Sequence, residues 1–288
     1  GLVEDVQILS GELVQNGNFE QIGSELITNG DFNDGSTGWT HNNLSGTSTF
    51  SVSNNELTFT RDTFGDSFYQ TDVAPAVAGV YLLTFDITAI SGGSLRYSFS
   101  PNSAANTSNR VSANSLGSYS TYFVSDGTLL DFVFDLDSNG ASVTIDNVSV
   151  KEVGQNWSFG TGWSINDGKI YFDNPTGSEF RQSLATTAGK YRISFDLDIT
   201  SGTIQTSFSS PSVSTIEAFT TSGTKTVDIT TTASFARFRF VGLANSVFNI
   251  DNVSVKEVTD DTDLPRIDFT DGTGSLLLEP QRTNTLVY

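Results

Sequence analysis

Along most of the chain, apolar and polar residues alternate one for one. Tyr191, Ile193, Phe195, Leu197 and Ile199 alternate with Arg192, Ser194, Asp196, Asp198 and Thr200. That period of two gives a strand one apolar face and one wet face. Tyr81, Leu83, Phe85 and Ile87 repeat the pattern against Leu82, Thr84, Asp86 and Thr88. So do Leu130, Phe132, Phe134 and Leu136 against Asp131, Val133 and Asp135, and Ala236, Phe238 and Phe240 against Arg237 and Arg239. Turn signals fall between these runs: Ser91-Gly92-Gly93, Ser138-Asn139-Gly140 and Asn166-Asp167-Gly168. No window carries a helical period with caps. The prediction is an all-β chain of short antiparallel strands.

The pattern is duplicated. Ile145–Val153 recurs unchanged at Ile250–Val258, an offset of 105 residues. Gly38-Trp39 aligns with Gly162-Trp163, and Ala78-Gly79-Val80-Tyr81 with Ala188-Gly189-Lys190-Tyr191. Ser98-Phe99-Ser100-Pro101 aligns with Phe208-Ser209-Ser210-Pro211 with one residue of slippage. Two tandem jelly-roll β-sandwiches are therefore expected at 24–153 and 154–258. Glu12–Phe19 echoes Glu25–Phe32, so 1–23 is expected to be a linking segment, the stub of an earlier repeat. Residues 259–288 are expected to lead to a further domain. In each closing strand the apolar parity shifts at Asp-Asn: Val143 and Ile145 precede Val148 and Val150, and Phe248 and Ile250 precede Val253 and Val255. Such a shift needs a bulge or a change of sheet, and its carboxylate can cap backbone N–H groups or ligate a cation.

Composition removes most alternatives. With 14 Lys+Arg against 33 Asp+Glu, the formal charge is −19. That excludes nucleic acid and anionic lipid as partners. Cys is absent and His41 is the single histidine, which leaves no thiolate or imidazole metal site and no His-dependent triad. No run is long and apolar enough for membrane insertion. Met is absent even at position 1, so a processed or excerpted chain is expected. Close acid pairs such as Asp196 and Asp198 arise from strand alternation alone, and the chain is read as non-enzymatic.

Asn29-Gly30-Asp31-Phe32, Gly38-Trp39 and the closing Ile145-Asp146-Asn147-Val148-Ser149-Val150 together resemble carbohydrate-binding modules of the family 4/9 type. The second unit departs from that pattern at its start, where Asn156-Trp157-Ser158-Phe159 stands. Asp263–Phe269 and Ser275–Asn284 resemble a segment of bacteriophage tail and virion-surface proteins. The two resemblances imply an adhesion protein on the virion surface, outside the cell. Its expected partners are further copies of itself (a homo-oligomer, with a trimer favoured), other virion proteins and cell-surface glycans. The alternatives are binding modules of a secreted polysaccharide-degrading enzyme, or a purely structural spacer. Leu276–Leu278 is expected to pack on a neighbouring unit or chain.

Sugars stack on exposed aromatic rings while polar groups bond their hydroxyls. Tyr69, Tyr97, Tyr122, Trp157, Tyr171 and Arg181 are the ligand candidates, while Trp39 and Trp163 read more simply as core. The resemblance implies a structural calcium, for which Asp31, Asn33 and Asp146 are candidates in the first unit and Asp251 alone in the second. Asp135–Gly140 also matches the start of a calcium loop, but Asn139-Gly140 reads first as a hairpin turn.

Overall fold

The computed structural model describes residues 8–259, apart from 45, 75–77, 101–110, 127–129 and 215, together with 266–268 and 275–277. The chain begins with β1 (Ile8–Leu9) and β2 (Ile22–Glu25). Module one supplies β3 (Thr40–Asn42), β4 (Thr49–Ser53), β5 (Glu56–Thr60), β6 (Ser67–Ala74) and β7 (Ala78–Ser91). It continues with β8 (Leu95–Ser100), β9 (Val111–Ala113), β10 (Gly117–Asp126), β11 (Leu130–Leu136) and β12 (Ser142–Val153). Module two supplies β13 (Trp157–Phe159), β14 (Trp163–Asn166), β15 (Lys169–Asn174), β16 (Ser178–Thr186) and β17 (Gly189–Ser201). It ends with β18 (Ile204–Ser209), β19 (Glu217–Phe219), β20 (Gly223–Thr231), β21 (Phe235–Gly242) and β22 (Ser246–Thr259). A last hairpin pairs β23 (Arg266–Asp268) with β24 (Ser275–Leu277). The side chains of Leu276–Leu278, expected to pack on a neighbour, lie outside the described residues.

The sheets repeat strand for strand. Module one pairs β10-β7-β12-β5-β4 in one sheet and β3-β6-β11-β8-β9 in the other. Module two pairs β20-β17-β22-β15-β14 and β13-β16-β21-β18-β19. All pairings are antiparallel, and each two-sheet sandwich is a jelly roll. The inner faces carry the apolar parity read from the sequence: Tyr191, Ile193, Phe195 and Leu197 are buried, as are Tyr81, Leu83, Phe85 and Ile87.

From Ile8 on, the described part of the segment expected to be a linker, 8–23, is built into the sandwiches. β1 joins module two by pairing with β22, Ile8 with Thr259 and Leu9 with Val258. Beyond it Leu13 N–H donates to Val255 O (3.0 Å) and Val253 N–H to Gly17 O (2.8 Å). The Glu12 carboxylate accepts from Ser254 Oγ (2.6 Å) and Val255 N–H (2.8 Å). Gln182 exchanges two hydrogen bonds with the Gln15 backbone, both 2.8 Å. Module one receives Glu25–Phe32 in the same way. Leu26 N–H donates to Val150 O and Val148 N–H to Gly30 O. Glu25 accepts from Ser149 and Val150, and Gln70 clasps Thr28. The echo at Glu12–Phe19 is thus the missing opening strap of module two, and module one sits between that strap and the remainder of its sandwich. This is also why Asn156–Phe159 departs from the opening motif.

The strap docks on the parity shift. β12 is bulged between Asp146 and Ser149, and β22 has the same irregularity opposite Ser194–Asp196. Asn147 and Asn252 take φ of 53° and 52° there. Each bulge bonds the strap glycine so closely that a Cβ on Gly30 would lie 1.8 Å from Val148 O, and one on Gly17 2.0 Å from Val253 O. Only glycine fits either position.

Register also corrects one alignment. β13 pairs Trp157 with Gln182, and β3 pairs Thr40 with Tyr69. Trp39 therefore corresponds to Trp157, and each indole N–H donates to its own strap, at Asn29 O (3.1 Å) and Asn16 O (3.1 Å). Trp163 takes the place of Phe50.

Candidate functional site

Two ligand candidates are core residues. Tyr97 is 5% exposed and packs edge-on against Phe85 at 5.1 Å. Trp157 is 6% exposed and stacks on Phe180 at 4.5 Å. Neither ring offers a face to a ligand, because both sit at inward parity. Tyr69 stays half-buried on the outer face of β6, opposite Val133. Arg181 takes the equivalent place on β16, and its guanidinium pairs with Glu179.

The carboxylates at the bulges have structural partners. Asp146 accepts from Asn147 N–H and Asp251 from Asn252 N–H, both at 2.7 Å. The Asn147 amide donates to Asp86 (2.8 Å) and the Asn252 amide to Asp196 (2.9 Å). Burial first, then neighbouring carboxylates, raises Asp146 above the ordinary carboxylate range. Asp251 is raised chiefly by burial. Asp196 is held low by hydrogen bonds from Thr224 and Asn252. Asp31 accepts the Asn33 amide at 2.5 Å. Among the described residues, no three His, Cys, Asp or Glu side chains converge to form a preformed metal centre. Asp196, Asp198 and Asp251 line a shallow hollow of about 230 Å³ with Lys169.

The remaining two candidates, Tyr122 and Tyr171, line one groove. On the outer face of β7 and β10, module one carries Val80, Leu82 and Tyr122, where Leu82 and Tyr122 are a cross-strand pair. The equivalent positions of module two are Lys190, Arg192 and Asp228, which form a partly buried ion cluster. The apolar set exists because module two covers it: Val80 and Val153 are buried within module two's own core cluster, with Leu82 and Tyr122 packed against it. Beside this contact a groove of about 460 Å³ opens between the modules. Ser120, Thr121, Tyr122, Phe123 and Val124 form one wall; Ser164, Ile165, Asn166, Asp167 and Tyr171 form the other. Tyr171 Oη donates to Asp173 (3.2 Å), and burial together with that carboxylate raises its phenol above the ordinary value, so it stays a neutral donor at pH 7.

No known sequence-family profile matches the chain, and no curated protein matches it in sequence. Solved structures resemble it loosely. The N-terminal CBM22-1–CBM22-2 tandem domain of Paenibacillus barcinonensis Xyn10C aligns over 82% of this chain and 98% of that one, with 12% identity and a TM-score of 0.36. A Paenibacillus xanthan lyase aligns over 78% of this chain and 26% of its own, with 14% identity and a TM-score of 0.26. A protein of Sulfolobus Turreted Icosahedral Virus aligns over 77% and 60%, with 12% identity and a TM-score of 0.21. At these scores the functional conclusion rests on the chain's own residues.

Two half-buried phenols, with hydroxyl, amide and carboxylate groups around them, form a surface that can cover the apolar face of a sugar and bond its rim. Ser120, Ser164, Asn166 and Asp167 were not singled out as site residues by sequence reasoning. Asn166-Asp167-Gly168 reads as a turn, and nothing local says which turn faces which module. The usable signal was Val80, Leu82 and Tyr122 sharing a parity that should be wet.

Proposed function

We infer that this chain is a non-enzymatic adhesion segment of a virion surface, and that it holds host glycans in the groove between its modules. The observation that carries this reading is the convergence of Tyr122 and Tyr171, one from each module, on a single polar-rimmed groove. The repeat supports it as well, because weak contacts multiplied over oligomeric copies give useful avidity. In this reading Asp31, Asn33 and Asp146 would be the residues to hold a structural calcium in module one. A glycan array followed by calorimetric titration of the best neutral hit tests the proposal, with Tyr122→Ala and Tyr171→Ala as variants and EDTA as a further condition. Each variant is expected to weaken binding roughly tenfold or more, the loss of one stacked ring. An array without hits would leave only a structural spacer.

A further inference from the structure

We propose that the outer face of β16, β18 and β21 in module two is a second binding site, built for carboxylate- or sulfate-bearing polysaccharide. Register sets three arginines side by side there. Arg181 pairs across strands with Arg239, and Arg237 lies two residues further along β21, about 7 Å away. One acid serves two of them: Glu179 takes Arg181 on one oxygen and Arg239 on the other, the latter at 3.1 Å. Arg239 Nε also donates to Ser207 Oγ at 3.1 Å. These bonds hold two guanidinium planes in place and leave further N–H donors facing outward. The exposed Arg237 has no carboxylate partner among the described residues. The face therefore carries a local positive excess on a chain whose formal charge is −19.

The same face of module one has the opposite character. Tyr69 stands for Arg181, Val133 for Arg239, and the buried Asp131 for Arg237. The positive face is thus specific to module two. Its chemistry selects a planar oxyanion, because a guanidinium fork meets a carboxylate or sulfate with two parallel hydrogen bonds. Ser183 and Ser209 lie across the strands from Arg237, and Val213, 47% exposed, bridges back to Ser209 at the rim. A chain this acidic repels polyanions at long range, so binding must be short-ranged and strongly salt-dependent.

The test uses the full chain titrated with oligogalacturonate, a dextran sulfate oligomer, neutral cellohexaose and poly-L-glutamate. At least one of the two acidic sugars is expected to bind, and which one tells carboxylate from sulfate recognition. That binding should weaken at least tenfold between about 50 mM and about 500 mM salt. Arg237→Glu should weaken it roughly tenfold or more and Arg237→Gln by less, without changing Tm, since the side chain is exposed. Wild-type affinity of Arg237→Glu for both acidic sugars, or no binding of either by the parent, overturns the proposal. Poly-L-glutamate binding as tightly as the sugars overturns it too, in favour of an acidic protein partner. Neutral-glycan binding that depends on Tyr122 and Tyr171 and ignores Arg237 shows that the two sites succeed or fail separately.

Discussion

Phe19→Ala isolates the assignment of the N-terminal strap to module two. Phe19 is 2% exposed, although it lies 138 residues before its ring partner Trp157 in the chain. Its ring packs edge-on to Trp157 at 5.6 Å and against Phe180 at 5.8 Å. Truncating a buried phenylalanine costs about 3–5 kcal/mol, through lost transfer free energy and the cavity left behind. For a module of this size, that lowers its melting temperature by about 10–20 °C. Calorimetry of the full chain should show the module-two transition falling while that of module one stays. Hydrogen exchange supplies the location: the amides of Val253 and Val255, bonded to Gly17 O and Glu12 Oε1, should lose protection, while those of Val148 and Val150 keep theirs. A shift confined to module one, or no shift above about 2 °C, would refute the assignment.

Two further outcomes follow from the same contacts. Asp228 is bonded by Arg192 (2.8 and 2.9 Å) and Lys190 (2.9 Å), and chiefly the Arg192 bonds lower its pKa to about 2. The folded value lies below the unfolded one, so the stabilisation is present above about pH 4 and is lost as pH falls towards 2. With its side chain 24% exposed, the expected contribution is about 1 kcal/mol, and Asp228→Asn should reduce the stability module two loses between about pH 4 and about pH 2 by that amount; an unchanged loss refutes it. Phe32→Ala should act differently from Phe19→Ala. Ile22 pairs with Val153, so folded module one delivers the strap to the point where module two begins. Once module one melts, the strap must close a loop of roughly 130 residues, a cost of about 4 kcal/mol. Phe32→Ala should therefore lower both calorimetric transitions, and an unmoved module-two transition would show that the modules do not depend on each other in this order.

What could be read from the sequence divides along a physical line. Alternation reports local geometry, so the strands, their buried faces and the bulge at Asp-Asn were all legible. Tyr97 was misread as a ligand candidate although Leu95 and Phe99 share its parity, and the structure places it in the core. The strap was visible as an echo but not assignable. The two acceptors read Asp-Asn-Val-Ser-Val identically, at Asp146–Val150 and Asp251–Val255, so nothing in their composition says which strap belongs to which. Chain geometry decides it: the strap nearer to module one closes module one, and the earlier one is left for module two. The groove was hidden for a related reason, because its walls come from different modules. Yet the divergence of the two outer faces had a pattern that drift on a solvated face does not produce. Where module one meets module two it carries Val80, Leu82 and Tyr122. The equivalent positions of module two carry Lys190, Arg192 and Asp228, paired with one another as partly buried charges must be to cost little. The outer face of module one thus records what covers it. By the same logic three neighbouring arginines, only two of them sharing an acid, on an otherwise acidic chain, mark the face proposed to take a counter-charge.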